Sequence, residues 1–254
     1  MLSRNDIITH LQKVLETLPY MNAFWLEGAD ANGTVDKYSD IDFWLDFNDE
    51  FERQAIEAVE TALAQLAEID FKYIGNHPHP KIRQRVYHLN GTSEYLLIDV
   101  CWQLHSREIG AYVENDTSEA AKVIFDKCGV IKFEPPNVTE HYERNKEILE
   151  KAKYRRTQYK RAEKYVKRGQ YLEAFAYYNE YVLDPLIDLL QIIHNPIHAD
   201  YGLVHISRNI PTVERERLEY FAQISSLNDI EKKIPQAGKW FDELGVFYMK
   251  GLNE

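Results

Sequence analysis

Cysteine is scarce in this chain, which contains only Cys101 and Cys128 among its 254 residues. Two cysteines cannot build the multi-bridge framework of small secreted domains, so a disulfide scaffold is excluded. No apolar run approaches the roughly 20 residues that span a bilayer, and the amphipathic segment 1–18 lacks the apolar core of a signal peptide. We therefore expect a cytoplasmic protein that has no membrane partner.

Positive charge is also in deficit, because 30 lysines and arginines stand against 41 aspartates and glutamates. The resulting net charge of −11 disfavours general nucleic-acid binding, which needs a basic surface. A glycine-rich phosphate loop ending in Gly-Lys-Ser or Gly-Lys-Thr is missing as well, which excludes a P-loop NTPase. The remaining composition, 44% hydrophobic and 28% charged, is typical of a globular protein. Composition leaves open whether the chain forms a homodimer.

The pattern of the chain changes at Pro135-Pro136. Before these prolines, strand-like alternation and helical spacing follow one another, which is typical of a sheet with flanking helices. After them, residues 138–246 show helical spacing without strand alternation. We therefore expect an α+β fold, with a mixed sheet and flanking helices in residues 1–135 and an all-helical bundle domain in residues 136–254.

The same spacing predicts individual elements. Strands are predicted at 22–29, 40–47, 71–76 and 129–133, with a hairpin over 83–103 that turns at Asn90-Gly91. Helices are predicted near the N-terminus and at 50–68, 138–168, 170–193, 199–208, 212–225 and 227–246.

Two aspartates interrupt the second predicted strand, in the stretch LEGADANGTVDKYSDIDFWLDF (26–47). Asp40 and Asp42 lie two residues apart, so on a strand they point to the same side. A third, Asp99, lies in the otherwise apolar stretch LLIDV. If the two strands are neighbours, three carboxylates converge, and hard oxygen ligands of this kind suit Mg²⁺. The alternative is that Asp40 caps a turn and Asp99 lies at a strand edge.

These residues resemble a known signature. Gly28, the polar loop and Ser39-Asp40-Ile41-Asp42 are similar to the Gly-Ser turn and Asp-x-Asp strand of the DNA polymerase β-like nucleotidyltransferase superfamily, and Asp99 matches its third carboxylate. The helical stretch 181–211 is similar to the C-terminal domain of the small aminoglycoside and lincosamide nucleotidyltransferases.

The resemblance implies an activity. The enzyme would transfer a nucleoside monophosphate, AMP above all, from a nucleoside triphosphate to a hydroxyl of a small acceptor such as an aminoglycoside or lincosamide. Asp99 would be a metal ligand, the general base, or both. Two alternatives stay open: modification of a protein hydroxyl, and a nucleotide-binding homologue with weakened turnover. The resemblance implies these roles: Mg²⁺ at Asp40, Asp42 and Asp99, and nucleotide at Gly28, Ala29 and Ser39.

The sequence departs from the family pattern at Ala29, where serine is usual, and at Asn32, where a basic residue is common. Positive charge for the phosphates would then come from elsewhere. A candidate is segment 151–168, which holds nine basic residues and one acid and predicts a lysine face at Lys153, Lys160, Lys164 and Lys167. A solvated face is the alternative.

The acceptor site has a candidate of its own in segment 198–208. Tyr201, His205 and Arg208 lie there at helical spacing. They either line an acceptor cleft or pack within the helical domain.

Overall fold

The computed structural model describes residues 2–251. The chain divides into two compact units, Met1–Pro136 and Asn137–Glu254. The first combines a mixed sheet with flanking helices and the second is helical, which confirms the predicted fold class. Within the described residues, no helix is both long and apolar enough to cross a membrane.

A six-stranded sheet forms the centre of the first unit, in the order β3-β4-β5-β2-β1-β7, and β6 and β8 form a separate parallel pair. Strands β2 and β5 are parallel, whereas the other neighbours in the main sheet are antiparallel. The elements are α1 (Arg4–Leu15), β1 (Met21–Leu26), α2 (Gly28–Asn32), β2 (Ile41–Phe47), α3 (Glu52–Leu66), β3 (Ile69–Gly75), β4 (Ile82–Leu89), β5 (Ile98–Leu104), β6 (Tyr112–Val113), β7 (Lys122–Asp126) and β8 (Phe133–Glu134).

Helices α1 and α3 cover one face of this sheet. Alternate residues of β2, such as Phe43 and Leu45, are buried in the same apolar cluster as Leu11 of α1 and Val59 of α3. Because side chains alternate along a strand, the residues between them point to the opposite face. That second face carries the polar side chains of β2 and β5.

The predicted strand at 129–133 is wrong in most of its length, because the chain bends there. The carboxylate of Asp126 accepts hydrogen bonds from the backbone N–H groups of Cys128 (3.2 Å), Val130 (3.0 Å) and Ile131 (2.9 Å). Gly129 adopts φ +67° within this loop. The strand that joins the sheet is therefore β7, which the sequence pattern did not predict.

Strands β4 and β5 pair antiparallel as predicted, and Asn90-Gly91 forms a turn, but this turn alone does not connect the strands. Eight residues, 90–97, connect the two strands. Thr92 N–H donates to the Leu89 carbonyl (3.1 Å) and Leu96 N–H to that of Ser93 (2.8 Å), so two successive turns replace a two-residue turn.

The second unit is helical as predicted, and its last helix, Leu227–Gly251, extends beyond the predicted 227–246, but the longest predicted helix is divided. The expected helix 138–168 is interrupted at Gln158, whose N–H donates three residues back to Arg155 (2.9 Å), so Lys153 shares no helix with Lys160. The helical segments are α4 (Val138–Thr157), α5 (Lys160–Lys167), α6 (Tyr171–Tyr178), a π-helical turn (Asn179–Leu183), α7 (Asp184–His194), a 3₁₀ segment (Pro196–Tyr201), α8 (Ile206–Asn209), α9 (Thr212–Ala222) and α10 (Leu227–Gly251).

We predict that Asp46→Ala lowers the free energy of unfolding by about 3 kcal/mol, because it leaves buried donors without an acceptor. The buried Asp46 carboxylate accepts from Asn22 Nδ2 (2.9 Å), Gln103 Nε2 (2.8 Å) and His105 Nδ1 (2.7 Å). Urea denaturation measures the change. The exposed Glu50→Ala serves as control and should change stability by less than about 0.5 kcal/mol. Equal effects of the two substitutions would contradict a structural role for Asp46.

Candidate functional site

Two of the predicted carboxylates lie side by side on the sheet. The parallel register of β2 and β5 places Asp42 directly opposite Asp99, and neighbouring strands are about 4.8 Å apart. Both side chains are half-buried on the face away from α1 and α3. The site is therefore built from two adjacent strand residues that cannot move apart without breaking the sheet.

The third aspartate, Asp40, is exposed immediately before β2. Arg4 at the start of α1 holds this position: its guanidinium donates to the carbonyls of Asp40 (2.8 Å) and Ser39 and pairs with the Asp30 carboxylate. Only 13% of the Arg4 side chain is exposed. Arg4 thus joins α1, α2 and the entry to β2, a role that no sequence motif indicates.

The charges around the carboxylate pair are strongly unbalanced. Burial, followed by the charges of Asp40, Asp99, Glu27 and Asp30, raises the pKa of Asp42 to about 6. The four charges with the largest effect on this pKa are all acidic. Burial also raises the pKa of Asp99, and the Asp40 charge adds to the rise. The centre therefore favours protonation or a bound cation.

Gln84 on β4 orients Asp99. Its side-chain amide donates to both Asp99 carboxylate oxygens, at 3.0 and 2.9 Å, and partly offsets the rise in the Asp99 pKa. The antiparallel register pairs Gln84 with Cys101, two residues beyond Asp99 on the same face. The sequence interpretation missed Gln84, because its role depends on strand register.

Gly28 is required for steric reasons. A Cβ at this position would lie 2.5 Å from Asp42 Oδ2, and its φ of +56° disfavours other residues. The adjoining Glu27 N–H donates to the Asp42 carbonyl (2.9 Å). Gly28 therefore lets α2 approach the carboxylate closely.

The other two residues that were predicted to contact nucleotide, Ser39 and Ala29, make hydrogen bonds to neighbouring residues of the chain. The Ser39 hydroxyl donates to the Asp36 carboxylate and accepts from the Asp36 N–H, both at 3.0 Å. Ala29 is half-buried in α2, and its carbonyl accepts from the Thr34 N–H (3.1 Å). Their contact with nucleotide stays a prediction.

A cleft of about 480 Å³ adjoins Gly28. The rings of Trp25 and Trp44 stack within it, with centroids 6.0 Å apart and planes at 14°, and the Arg107 guanidinium lies 5.4 Å from the Trp44 centroid. Trp25 Nε1 donates to Tyr112 Oη (2.7 Å). Trp25 is buried, whereas Trp44 is half-buried at the cleft.

The predicted acceptor residues do not lie on one helix. The 3₁₀ segment ends at Tyr201, because Gly202 adopts φ +57° and ψ −123°, and His205 adopts φ +57°. His205 and Arg208 are exposed, and the Tyr201 ring stacks on His198 with centroids 4.5 Å apart. The helical spacing that grouped them is wrong, because two residues with positive φ, Gly202 and His205, interrupt the helix.

The carboxylate oxygens of Asp42 and Asp99 are the type of ligand that binds a divalent cation. Asp42 and Asp99 are adjacent hard ligands with surplus negative charge, which is the chemistry that Mg²⁺ prefers. Among the described residues, however, no group of three or more His, Cys, Asp or Glu side chains is arranged to hold a metal ion. The predicted three-carboxylate site is thus not preassembled, since Asp40 is exposed and Gln84 engages Asp99.

Comparisons with protein-family models and with curated proteins found no match. Among solved structures, the chain is similar to an aminoglycoside 6-adenyltransferase from Bacillus subtilis, with TM-score 0.34, 13% identity, and coverage of 97% of this chain and 92% of that one. It is also similar to a spectinomycin adenyltransferase from Enterococcus faecialis solved with ATP and spectinomycin, with TM-score 0.33, 11% identity, and coverage of 94% and 100%. At this level of similarity, neither structure identifies the activity of the chain.

We predict that Asp42→Asn stabilises the metal-free protein near neutral pH and has little effect in acid. Since the folded-state pKa of Asp42 is raised from 3.8 to about 6, the folded protein binds the proton more tightly than the unfolded chain. The contribution of Asp42 to the free energy of unfolding therefore falls as the pH rises from 3.8 to about 6. The Asp42→Asn variant has no carboxyl group to titrate at this position, so it does not lose this stability.

Urea denaturation of both proteins, at about pH 4 and about pH 8, measures the difference. Asp188, whose pKa burial also raises to about 6, titrates in both proteins and cancels. A difference that is independent of pH would contradict the prediction.

Proposed function

We propose that the chain is a Mg²⁺-dependent nucleotidyltransferase that transfers a nucleoside monophosphate, AMP above all, to a hydroxyl of a small molecule. The observation that supports this most directly is the Asp42–Asp99 pair, held in parallel register with Gly28 packed against it. Strand interiors exclude unpaired carboxylates unless function requires them. Because the largest charge effects on Asp42 come from acids, the pair fits a site that binds a cation together with its substrate.

The three aspartates have different roles in this proposal. Asp40 and Asp42 hold the metal-associated triphosphate. The bound Mg²⁺ would neutralise phosphate charge. Asp99, oriented by Gln84, accepts the proton of the acceptor hydroxyl. The hydroxyl oxygen forms a bond to the α-phosphorus, the bond to pyrophosphate breaks, and pyrophosphate leaves with its electrons. The pKa of Asp99 is raised, which brings this carboxylate nearer to the range in which a general base is effective.

A screen of nucleoside triphosphates against hydroxyl-bearing acceptors, with pyrophosphate release as the readout, tests the proposed reaction. Mg²⁺-dependent release that requires an acceptor would support it. Release that requires a protein acceptor would favour protein modification instead. Nucleotide binding without release in the whole panel would favour the weakened homologue.

Nucleotide binding should depend on Asp42. We predict that Mg²⁺ with a non-hydrolysable ATP analogue at about 100 times its Kd stabilises the protein by about 2.7 kcal/mol, which is roughly 5–10 °C in Tm for a chain of this size. Asp42→Asn should remove most of this rise, and the exposed Asp49→Asn should retain it. Equal shifts in all three proteins would exclude Asp42 from the nucleotide site.

Turnover should depend on Asp99 more than binding does. A general base removes a proton in the transition state and contributes little to ground-state binding. We predict that Asp99→Asn lowers kcat by about 10²-fold or more, with little change in nucleotide affinity. Steady-state kinetics and calorimetry measure the two quantities. A variant that binds nucleotide as poorly as Asp42→Asn would make Asp99 a metal ligand, and wild-type turnover would remove it from the site.

A further inference from the structure

We propose that Arg107 binds the terminal phosphates of the nucleoside triphosphate, the group that leaves as pyrophosphate. The inference rests on the proposed function, because Arg107 acts on the substrate of that reaction. Asn32 stands where a basic residue is common, and the sequence pattern offered segment 151–168 as a source of positive charge. Arg107 lies instead in the first unit, on the cleft that Gly28 also lines.

Arg107 is the one base among the described residues that line the cleft, whose two acids are Glu27 and Glu119. The Glu27 carboxylate is engaged, because it accepts a hydrogen bond from Tyr112 Oη. The Arg107 guanidinium donates to the neutral side chain of Gln103 rather than to a carboxylate. Because a guanidinium carries several N–H donors, it can hold this bond and still bind an anion.

Gln103 and Trp44 hold the Arg107 side chain at the cleft. Gln103 accepts from Arg107 through Oε1 and donates through Nε2 to the buried Asp46 carboxylate (2.8 Å). The guanidinium lies over the Trp44 ring, with its Cζ atom 5.4 Å from the ring centroid. An arginine that is oriented before a ligand binds loses little further freedom, and its planar fork matches phosphate oxygens.

The backbone that carries Arg107 is also fixed. After β5, the His105 N–H donates to the Phe47 carbonyl (2.9 Å) and the Ser106 N–H donates to the Asp49 carboxylate (3.0 Å). These bonds tie the start of the loop to the end of β2 and the residues that follow it. Arg107 therefore projects from a fixed position relative to β2.

The strand geometry places Arg107 within reach of a nucleotide whose α-phosphorus lies at the carboxylate pair. Trp44 follows Asp42 by two residues on the same face of β2, roughly 7 Å along the strand. Gly28 connects the two positions, since it packs against Asp42 and lines the cleft. A triphosphate that starts at Asp42 and passes Gly28 therefore brings its terminal phosphates, rather than its α-phosphate, to Arg107.

The charge of Arg107 also acts on the face of the sheet that carries the carboxylates. Burial raises the pKa of Cys101, two residues beyond Asp99 on β5, to about 12. The charges of Asp99 and Glu27 add to this rise, whereas the charge of Arg107 opposes it. Arg107 is thus close enough to stabilise the negative charge that the pyrophosphate group gains as its bond to the α-phosphorus breaks.

The experiment uses calorimetry with Mg²⁺ and three probes: α,β-methylene-ATP, which resists cleavage at the α-phosphorus; AMP, which lacks the terminal phosphates; and inorganic pyrophosphate. The variants are Arg107→Gln, which removes the charge, and Arg107→Lys, which keeps the charge without the planar fork. The control is Arg53→Gln, because Arg53 is an exposed arginine that pairs with Glu57 on α3. Tm values establish that each variant is folded.

We expect Arg107→Gln to weaken the binding of α,β-methylene-ATP and of pyrophosphate about 10-fold or more, the range of a hydrogen bond to a charged group. Arg107→Lys should weaken both by about 3-fold, because an ammonium group does not form the bidentate contact. AMP should bind every protein in the series equally, and Arg53→Gln should change nothing.

Wild-type affinity of Arg107→Gln for α,β-methylene-ATP would overturn the inference. A loss of AMP binding as large as that of the triphosphate analogue would also overturn it, because Arg107 would then contact the α-phosphate. If AMP binds too weakly to be measured, pyrophosphate decides the point, and undiminished pyrophosphate binding to Arg107→Gln would reject the assignment.

The outcomes also separate this inference from the proposed function. If the binding of α,β-methylene-ATP depends on Asp42 but not on Arg107, the Arg107 assignment fails and nucleotide transfer stands. If the binding depends on Arg107 but no acceptor supports pyrophosphate release, nucleotide transfer fails and the phosphate-binding role of Arg107 stands.

Discussion

Repulsion between Asp42 and Asp99 is the constraint around which the first unit is arranged. The sheet register fixes the two carboxylates as neighbours, and burial removes the water that would screen them. The opposite faces of the same strands bury Phe43 and Val100 in the apolar core. Packing on one side of the sheet therefore holds together a charge pair on the other that is unfavourable without a cation.

Each residue around the pair fixes a different part of the site. Gln84 orients Asp99 through both oxygens, Arg4 fixes the backbone that leads into Asp40, and Gly28 leaves room for the Asp42 carboxylate. None of them neutralises the pair. The local architecture thus sets position and leaves the charge to be balanced by what binds, which is the basis of the proposed nucleotide chemistry.

The sequence predicted the parts of this arrangement that depend on alternation. Asp42 and Asp99 face one side because their neighbours are apolar at alternate positions. The parallel register that pairs them, and the amide of Gln84 beside Asp99, depend on contacts between distant segments, which periodicity does not contain. The predicted helix at 199–208, which contains Tyr201 and His205, is wrong for a local reason. Residues with positive φ end a helix even where the spacing of the side chains looks regular.

The central claim, that Asp42 exchanges a proton for a metal ion that binds together with nucleotide, is tested most directly by proton release when the Mn²⁺ complex of a non-hydrolysable ATP analogue binds. Calorimetry in buffers of different ionisation enthalpy counts the protons. Because the pKa of Asp42 is raised to about 6, the account predicts release at about pH 6 and little release at about pH 8, where the group is already ionised. Binding of the complex without proton release at the lower pH, or no binding at either pH, would contradict it.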